Sequence, residues 1–225
     1  GDQGRDAIII KRLLKLENLP AIGPPSSIGQ IYLGPFYYYL VAPFLLIFNY
    51  NPVGLGIGVG LYSLLLTFLI FVISKKILKE WQSFALLIFL LFSPTLVSFS
   101  RFSWNPNLVP YFSLLTTLFF FLGLKERSVK KLSLSAFFYA LTLQLNYSLL
   151  FLLPIYLFFL IKFLVENKKD LNPFKTIGFI SLSFIFPFTP LILFELKHSF
   201  LNLKNLFKLL ELSLIHISEP TRQEA

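Results

Sequence analysis

The chain has 225 residues, of which 56% are hydrophobic, 18% aromatic and only 14% charged. Soluble domains carry about a quarter charged residues. The low charged fraction and the mean hydropathy of +0.73 together exclude a soluble enzyme, a disordered chain and a nucleic-acid-binding module. The lack of cysteine excludes disulfides and thiolate metal sites, and the net charge of +9 is typical of a membrane protein with basic cytoplasmic loops.

The first 52 residues are predicted to form one large non-cytoplasmic loop with juxtamembrane helices. Residues 6–17 (DAIIIKRLLKLE) have helical periodicity, with an apolar stripe opposite a cationic face, which is typical of a helix in the headgroup plane. Segment 35–49 would be about 22 Å long as a helix, short of the roughly 30 Å hydrocarbon core. Because Pro43 also interrupts it, we interpret it as an interfacial or re-entrant helix.

Six later segments are apolar enough to cross a membrane, and basic clusters separate them in pairs. Short loops rich in Lys and Arg stay cytoplasmic, so all three clusters are expected on one side. The sequence therefore predicts an all-α polytopic membrane protein with about six transmembrane helices. The spans are 53–74, 82–99, 108–124, 132–148, 149–165 and 176–195, and the clusters are Lys75, Lys76, Lys79; Lys125, Arg127, Lys130, Lys131; and Lys162, Lys168, Lys169, Lys175.

Both ends of the chain are predicted to be truncated. The chain has no Met and begins at Gly1 with a polar segment, so we expect a preceding helix. Residues 53–195 form the predicted bundle, and residues 196–211 continue an amphipathic segment that starts at Glu195. Residues 212–225 (LSLIHISEPTRQEA) resemble the translation of a sequencing adapter and are interpreted as an artefact.

Three polar groups are expected at the same outer surface. They are the start of the chain around Asp2, Arg5 and Asp6, the 100–107 loop with Arg101 and Asn105, and the turn with Gln144 and Asn146. A carboxylate can deprotonate an acceptor hydroxyl, and an Arg can bind a phosphate through its planar fork. The pattern favours a reaction on a lipid-linked substrate at the membrane surface.

The same residues resemble a known class. The start GDQGRDAIIIKRLL, the Pro35-Phe36-Tyr37-Tyr38-Tyr39 stretch and the later Ser100-Arg101 loop are together similar to GT-C membrane glycosyltransferases. That class includes aminoarabinose transferases, protein O-mannosyltransferases and RgtA/B/C/D-like bacterial enzymes. The resemblance covers about residues 1–195.

The resemblance implies a reaction and a set of site residues. Asp2 would be the catalytic base, the donor a polyprenyl-phosphate sugar, and transfer would invert the anomeric centre. Arg5, Arg101, Tyr37 and Asn105 would bind substrate, with Asp6, Gln144 and Asn146 as possible secondary residues. The acceptor would be a glycan, lipid or protein of the cell envelope, and the enzyme would be a multi-pass protein of the cell membrane.

Two departures from the class pattern concern metal. Some relatives carry a His or Glu where Leu33 and Gly34 stand here, and an Asp where Asn105 stands. Since a hard divalent cation prefers carboxylates, we expect no metal and no other cofactor.

Several alternatives stay open at this stage. Asp2 is also a plausible helix N-cap, Asp6 a structural residue, Arg5 a headgroup ligand, and Arg101 and the tyrosines interfacial anchors. The alternating glycines at 53–60 favour close helix packing over nucleotide binding. Another function is an O-antigen polymerase or ligase. A transporter or flippase is the non-enzymatic alternative, although the charges lie almost entirely in loops and no repeat is evident.

Overall fold

The structure, a computed structural model, describes residues 2–26, 31–168 and 170–218, with the backbone alone for residue 210 and residues 212–218. The described chain is all-α, as predicted. The helices are α1 Asp2–Leu14, α2 Phe36–Ile47, α3 Val53–Ser74, α4 Glu80–Phe92, α5 Pro94–Phe99, α6 Val109–Lys125, α7 Val129–Leu145, α8 Leu153–Glu166, α9 Pro173–Ile185, α10 Thr189–Lys197 and α11 Leu201–Ser218. Short 3₁₀ turns, Asn105–Leu108, Tyr147–Leu152 and Phe186–Phe188, lead into α6, α8 and α10.

Four helical segments in the described ranges are long and apolar enough to cross a membrane: Val53–Ser74, Asn105–Lys125, Tyr147–Glu166 and Pro173–Lys197. The polytopic helical class is thereby confirmed. The other two predicted spans are not among these four segments. Segment 82–99 is divided into α4 and α5 at Ser93, because Pro94 has no N–H to continue the helix. Segment 132–148 corresponds to α7, which has 17 residues.

The helix predicted over residues 6–17 begins earlier than its apolar stripe. Asp2 is the first helical residue of α1, so it lies in the first turn. The side chains of Asp6, Ala7, Ile10 and Leu13 are buried along one face of this helix. The carboxyl group of Asp6 is therefore on the side of α1 that packs against the protein.

Near the end of the described chain, the predicted amphipathic stretch 195–210 is divided. Ser199 and Phe200 have φ angles of 54° and 59°, which a helix does not allow, so α10 ends at Lys197 and α11 starts at Leu201. Helix α11 continues to Ser218 and residues 219–225 lie outside the described chain. The adapter origin of 212–225 stays a prediction.

Glycines on two faces of α3 set the packing around it. A Cβ on Gly54 would lie 2.7 Å from the carbonyl oxygen of Phe44 in α2, and one on Gly58 would lie 2.6 Å from the Phe44 ring. On another face, a Cβ on Gly60 would lie 3.2 Å from the Ser100 carbonyl oxygen. The alternating glycines therefore serve close packing, as the sequence analysis favoured.

The basic loops meet at one end of the bundle. The Lys125 ammonium donates to the Lys76 carbonyl oxygen at 3.0 Å, and Arg127 pairs with Asp170 at 3.0 Å. The first two predicted basic clusters and the loop of Asp170 thus share one end, and Lys169 of the third cluster lies outside the described residues. Helix α1, the 100–107 loop and the 144–148 turn lie at the opposite end.

Candidate functional site

The first two turns of α1 hold two carboxylates joined by one guanidinium. Arg5 Nη1 lies 3.2 Å from Asp2 Oδ1, and Arg5 Nε and Nη2 donate to Asp6 Oδ1 at 3.0 and 2.9 Å. The Asp2 side chain is 60% exposed, whereas that of Asp6 is 1% exposed. The two acids are thus chemically distinct, one open and one buried, with a shared counter-ion.

Asp6 is held inside the protein. Tyr38 in α2 donates to Asp6 Oδ1 at 3.4 Å, and Oδ2 has no hydrogen-bond partner among the described residues. Burial raises the pKa of the Asp6 carboxyl above its ordinary value, while the hydrogen bond and charge of Arg5 oppose that rise. This environment favours a structural role for Asp6.

Asp2 faces a cleft. Asp2, Gln3 and Gly4 form one wall of a cleft of about 570 Å³, and Phe102, Ser103 and Trp104 form the other. The rings of Phe102 and Trp104 are stacked with centroids 6.3 Å apart. The structure therefore brings the start of the chain together with the 100–107 loop, and the cleft offers a carboxylate beside an aromatic wall.

Tyr37 lies beneath this cleft. Its side chain is fully buried, and its hydroxyl is hydrogen-bonded to the Ser103 hydroxyl. Burial raises the pKa of the Tyr37 hydroxyl, so it stays neutral. In the structure the residue therefore holds Ser103 in the wall of the cleft, and the substrate contact of Tyr37 stays a prediction.

The three predicted amide residues connect elements at this end of the bundle. Asn105 Nδ2 donates to the Leu145 carbonyl oxygen at 2.6 Å, and Asn146 Oδ1 accepts from the Ser148 amide at 2.8 Å. Gln144 accepts from the Phe36 amide at 3.3 Å and donates to the Pro187 carbonyl oxygen at 2.8 Å. None of the three lines the Asp2 cleft, so their observed contacts are structural.

The contacts of Gln144 also explain the glycine before Pro35. A Cβ on Gly34 would lie 2.2 Å from Gln144 Oε1, so the side chain of Gln144 occupies the space in which a residue at position 34 would project.

Within the described residues, no three His, Asp or Glu side chains come together. Whether transfer depends on metal stays a prediction.

Arg101 is exposed next to the cleft. Its guanidinium forms no ion pair or hydrogen bond with any described residue, whereas its carbonyl group packs over Gly56 of α3. Arg101 is therefore an exposed cation that directly precedes Phe102 in the wall of the cleft, although it does not line the cleft itself.

A second cavity on another side of α1 contains Arg5 and two basic residues that the sequence analysis missed. Arg5, Lys197 and His198 line this space of about 720 Å³, together with the 18–25 segment. Lys197 and His198 are about 190 positions from Arg5 in the chain, and no local motif marks either one, so only the tertiary structure identifies them.

The comparisons with known proteins identify the family. A family model described as dolichyl-phosphate-mannose-protein mannosyltransferase matches residues 33–193, more than two thirds of the chain. The chain therefore belongs to this family of GT-C membrane glycosyltransferases. No curated protein and no solved structure matches the chain. The matched region includes Arg101 and Gln144 and begins after α1, so Asp2, Arg5 and Asp6 precede it.

Proposed function

We propose that this GT-C glycosyltransferase moves a sugar from a polyprenyl-phosphate donor to a hydroxyl group of a cell-envelope acceptor, with Asp2 as the base. Membership of a dolichyl-phosphate-mannose-dependent family supports the class of donor. The observation that carries the assignment of the base is the position of Asp2, an open carboxylate in the cleft against Phe102 and Trp104.

The proposed reaction is a single inverting displacement. The Asp2 carboxylate takes the proton of the acceptor hydroxyl, whose oxygen forms a bond to the anomeric carbon. The bond from that carbon to the phosphate oxygen breaks, and its electron pair leaves with polyprenyl phosphate. Arg5, 3.2 Å from Asp2, and Arg101 are the cations near the cleft that would stabilise the leaving phosphate.

We also propose a multi-pass arrangement in the cell membrane with the Asp2 cleft on the outer side. The support is electrostatic. The basic loops around Lys76, Lys125 and Arg127 lie together at the other end of the bundle, and basic loops of this kind remain in the cytoplasm.

Replacing Asp2 with Asn tests the base directly. Asn preserves the size of the side chain and its ability to cap a helix but cannot accept the proton. We expect Asp2→Asn in the complete enzyme to reduce transfer by about 10²–10⁴-fold with folding unchanged. The assay is transfer of labelled mannose from polyprenyl-phosphate mannose to membranes of cells lacking the enzyme, which retain the native acceptor.

Glu17→Gln is the matched control, because Glu17 is an exposed carboxylate just after α1 whose one ion pair within the described residues is with Lys15. It is expected to transfer normally. Near-normal transfer by Asp2→Asn would show that Asp2 is a structural residue and would remove the proposed base.

We further propose that transfer needs no metal ion, since Gly34 and Asn105 offer no carboxylate. Transfer by the complete enzyme is expected to continue after exhaustive chelation. Loss of transfer on chelation, with recovery on addition of Mg²⁺ or Mn²⁺, would contradict this proposal.

A further inference from the structure

The second cavity beside α1 combines cationic and apolar walls. Its basic residues come from distant parts of the chain, Arg5 in α1 and Lys197 and His198 at the end of α10. Most of its other lining is apolar, including Ile9, Leu19, Ile22, Leu193 and Phe194. A cavity of this composition fits a ligand that carries an anionic group next to a hydrocarbon group.

The cationic charge in this cavity is only partly neutralised. Arg5 is paired with Asp2 and Asp6, whereas Lys197 has no ion pair or hydrogen bond within the described residues. The neighbouring acid, Glu195, is already engaged, because its carboxylate accepts from the backbone amides of Asn202 at 3.2 Å and Leu203 at 3.4 Å. Lys197 therefore remains available to an external anion.

His198 is held in a fixed position at the same wall. Its Nδ1 lies 2.9 Å from the Phe194 carbonyl oxygen, and its ring stacks on the Phe194 ring at a centroid distance of 4.1 Å. The second ring nitrogen has no partner among the described residues, so it is available to a bound ligand.

The cavity lies at the end of a lipid-facing segment. The Pro173–Lys197 segment is apolar and only 6% of its most apolar window is buried, and Leu193, which lines the cavity, is 60% exposed. Basic side chains at the end of an apolar span lie at the depth of lipid phosphates. A hydrocarbon chain attached to a phosphate in the cavity could thus follow the surface of α10 into the bilayer.

We infer that this cavity binds the phosphate group of a lipid, with Lys197 and Arg5 as its cationic ligands and His198 as a further polar contact. In the proposed reaction, on which this assignment of the lipid rests, the lipid is the polyprenyl-phosphate donor. Arg5 connects the two sites, since it lines the cavity and lies 3.2 Å from Asp2.

The test compares lipid binding by the purified complete enzyme with that of Lys197→Gln. Native mass spectrometry in detergent measures binding of polyprenyl phosphate, alone and in competition with phosphatidylglycerol. Loss of one charge-assisted contact is expected to weaken binding of polyprenyl phosphate by about tenfold or more. Lys197→Arg, which keeps the charge, is expected to restore most of the binding.

Lys204→Gln is the matched control. Lys204 is an exposed lysine of α11 that does not line the cavity, and its replacement is expected to leave binding unchanged. In the transfer assay, Lys197→Gln is expected to raise KM for polyprenyl-phosphate mannose more than it lowers kcat.

The possible outcomes separate the two lipid sources and the two proposals. If phosphatidylglycerol competes equally and the donor KM of Lys197→Gln is unchanged, the cavity is a site for bilayer headgroups and the assignment to the donor is overturned. If Lys197→Gln binds polyprenyl phosphate and phosphatidylglycerol as tightly as the unmodified enzyme does, the cavity is not a lipid-phosphate site. Since binding needs no transfer, loss of binding in Lys197→Gln supports the site even if Asp2→Asn remains active.

Discussion

Helices α1–α3, α6 and α7 differ from helices α8–α10 in how much of their surface they bury. In the most apolar windows of the Val53–Ser74 and Asn105–Lys125 segments, 39% and 56% of the residues are buried, against 11% and 6% for Tyr147–Glu166 and Pro173–Lys197. The first group is a packed region built around α2, α3, α6 and α7. The second is a peripheral region whose side chains mostly face outward.

The difference follows from where the polar groups lie. Within the described residues, the packed region holds most of the buried polar side chains, among them Asp6, Asn105 and Gln144. A polar group removed from water needs a partner inside the protein, so the region that carries the cleft must be closely packed. The peripheral region carries few such groups, and apolar residues on all sides suit a helix surrounded by lipid.

Gln144 connects the two regions, and its loss is expected to have the largest effect on stability. In Gln144→Leu, the Phe36 amide at the start of α2 and the Pro187 carbonyl group before α10 both lose their partner. An unsatisfied buried group costs about 1–3 kcal/mol, so we expect a loss of several kcal/mol at most and a lower unfolding midpoint in mixed micelles.

Asn51→Leu is the control for this substitution. Asn51 is an exposed amide whose side chain, among the described residues, accepts only from the Val53 backbone amide at 3.0 Å, so its replacement is expected to cost about 1 kcal/mol or less. Equal midpoints for the two variants would show that Gln144 does not join the regions energetically.

A pair of glycine substitutions compares the regions directly. Gly54→Ala places a methyl group 2.7 Å from the Phe44 carbonyl oxygen, whereas nothing lies within 4 Å of a Cβ on Gly178 in α9. We expect Gly54→Ala to destabilise the protein by about 1–3 kcal/mol through overpacking. Gly178→Ala is expected to stabilise it by about 0.5–1 kcal/mol, because alanine is the better helix former.

Unfolding of both variants in the same detergent measures the contrast. The comparison between packed and peripheral regions fails if Gly178→Ala destabilises the protein as much as Gly54→Ala does.

The sequence predicted the helical class, the basic end and the juxtaposition of Asp2 with the 100–107 loop. Hydropathy and charge carry the first two of these, because lipid imposes the same rules on every span. The division at Ser93 was missed although Pro94 was visible, since a break within an apolar run leaves its hydropathy unchanged.

The site was less predictable, because its geometry depends on contacts between distant residues. The sequence predicted Asp2 as the base and Asp6 as a secondary or structural residue, but it could not show that Asp2 is open and Asp6 buried against Tyr38. Likewise, Tyr37 and Asn105 resemble ligands in the sequence, and the structure places their polar atoms on Ser103 and on the Leu145 carbonyl group. Burial and hydrogen-bond partners have no local signal.

The smallest predicted effect concerns the charge that the packed region buries at Asp6. Burial raises its pKa above the ordinary value of 3.8, so the folded protein binds the proton more tightly than the unfolded chain. Stability from this group is therefore greatest at low pH and falls as the pH rises from 3.8 through the folded-state pKa. Asp6→Asn removes this titration but keeps an acceptor for Arg5, so its unfolding temperature should decline less between about pH 4 and pH 7. Thermal unfolding in detergent at constant ionic strength measures both profiles, and parallel curves for the variant and the unmodified protein would show that Asp6 is not titrating differently in the folded state.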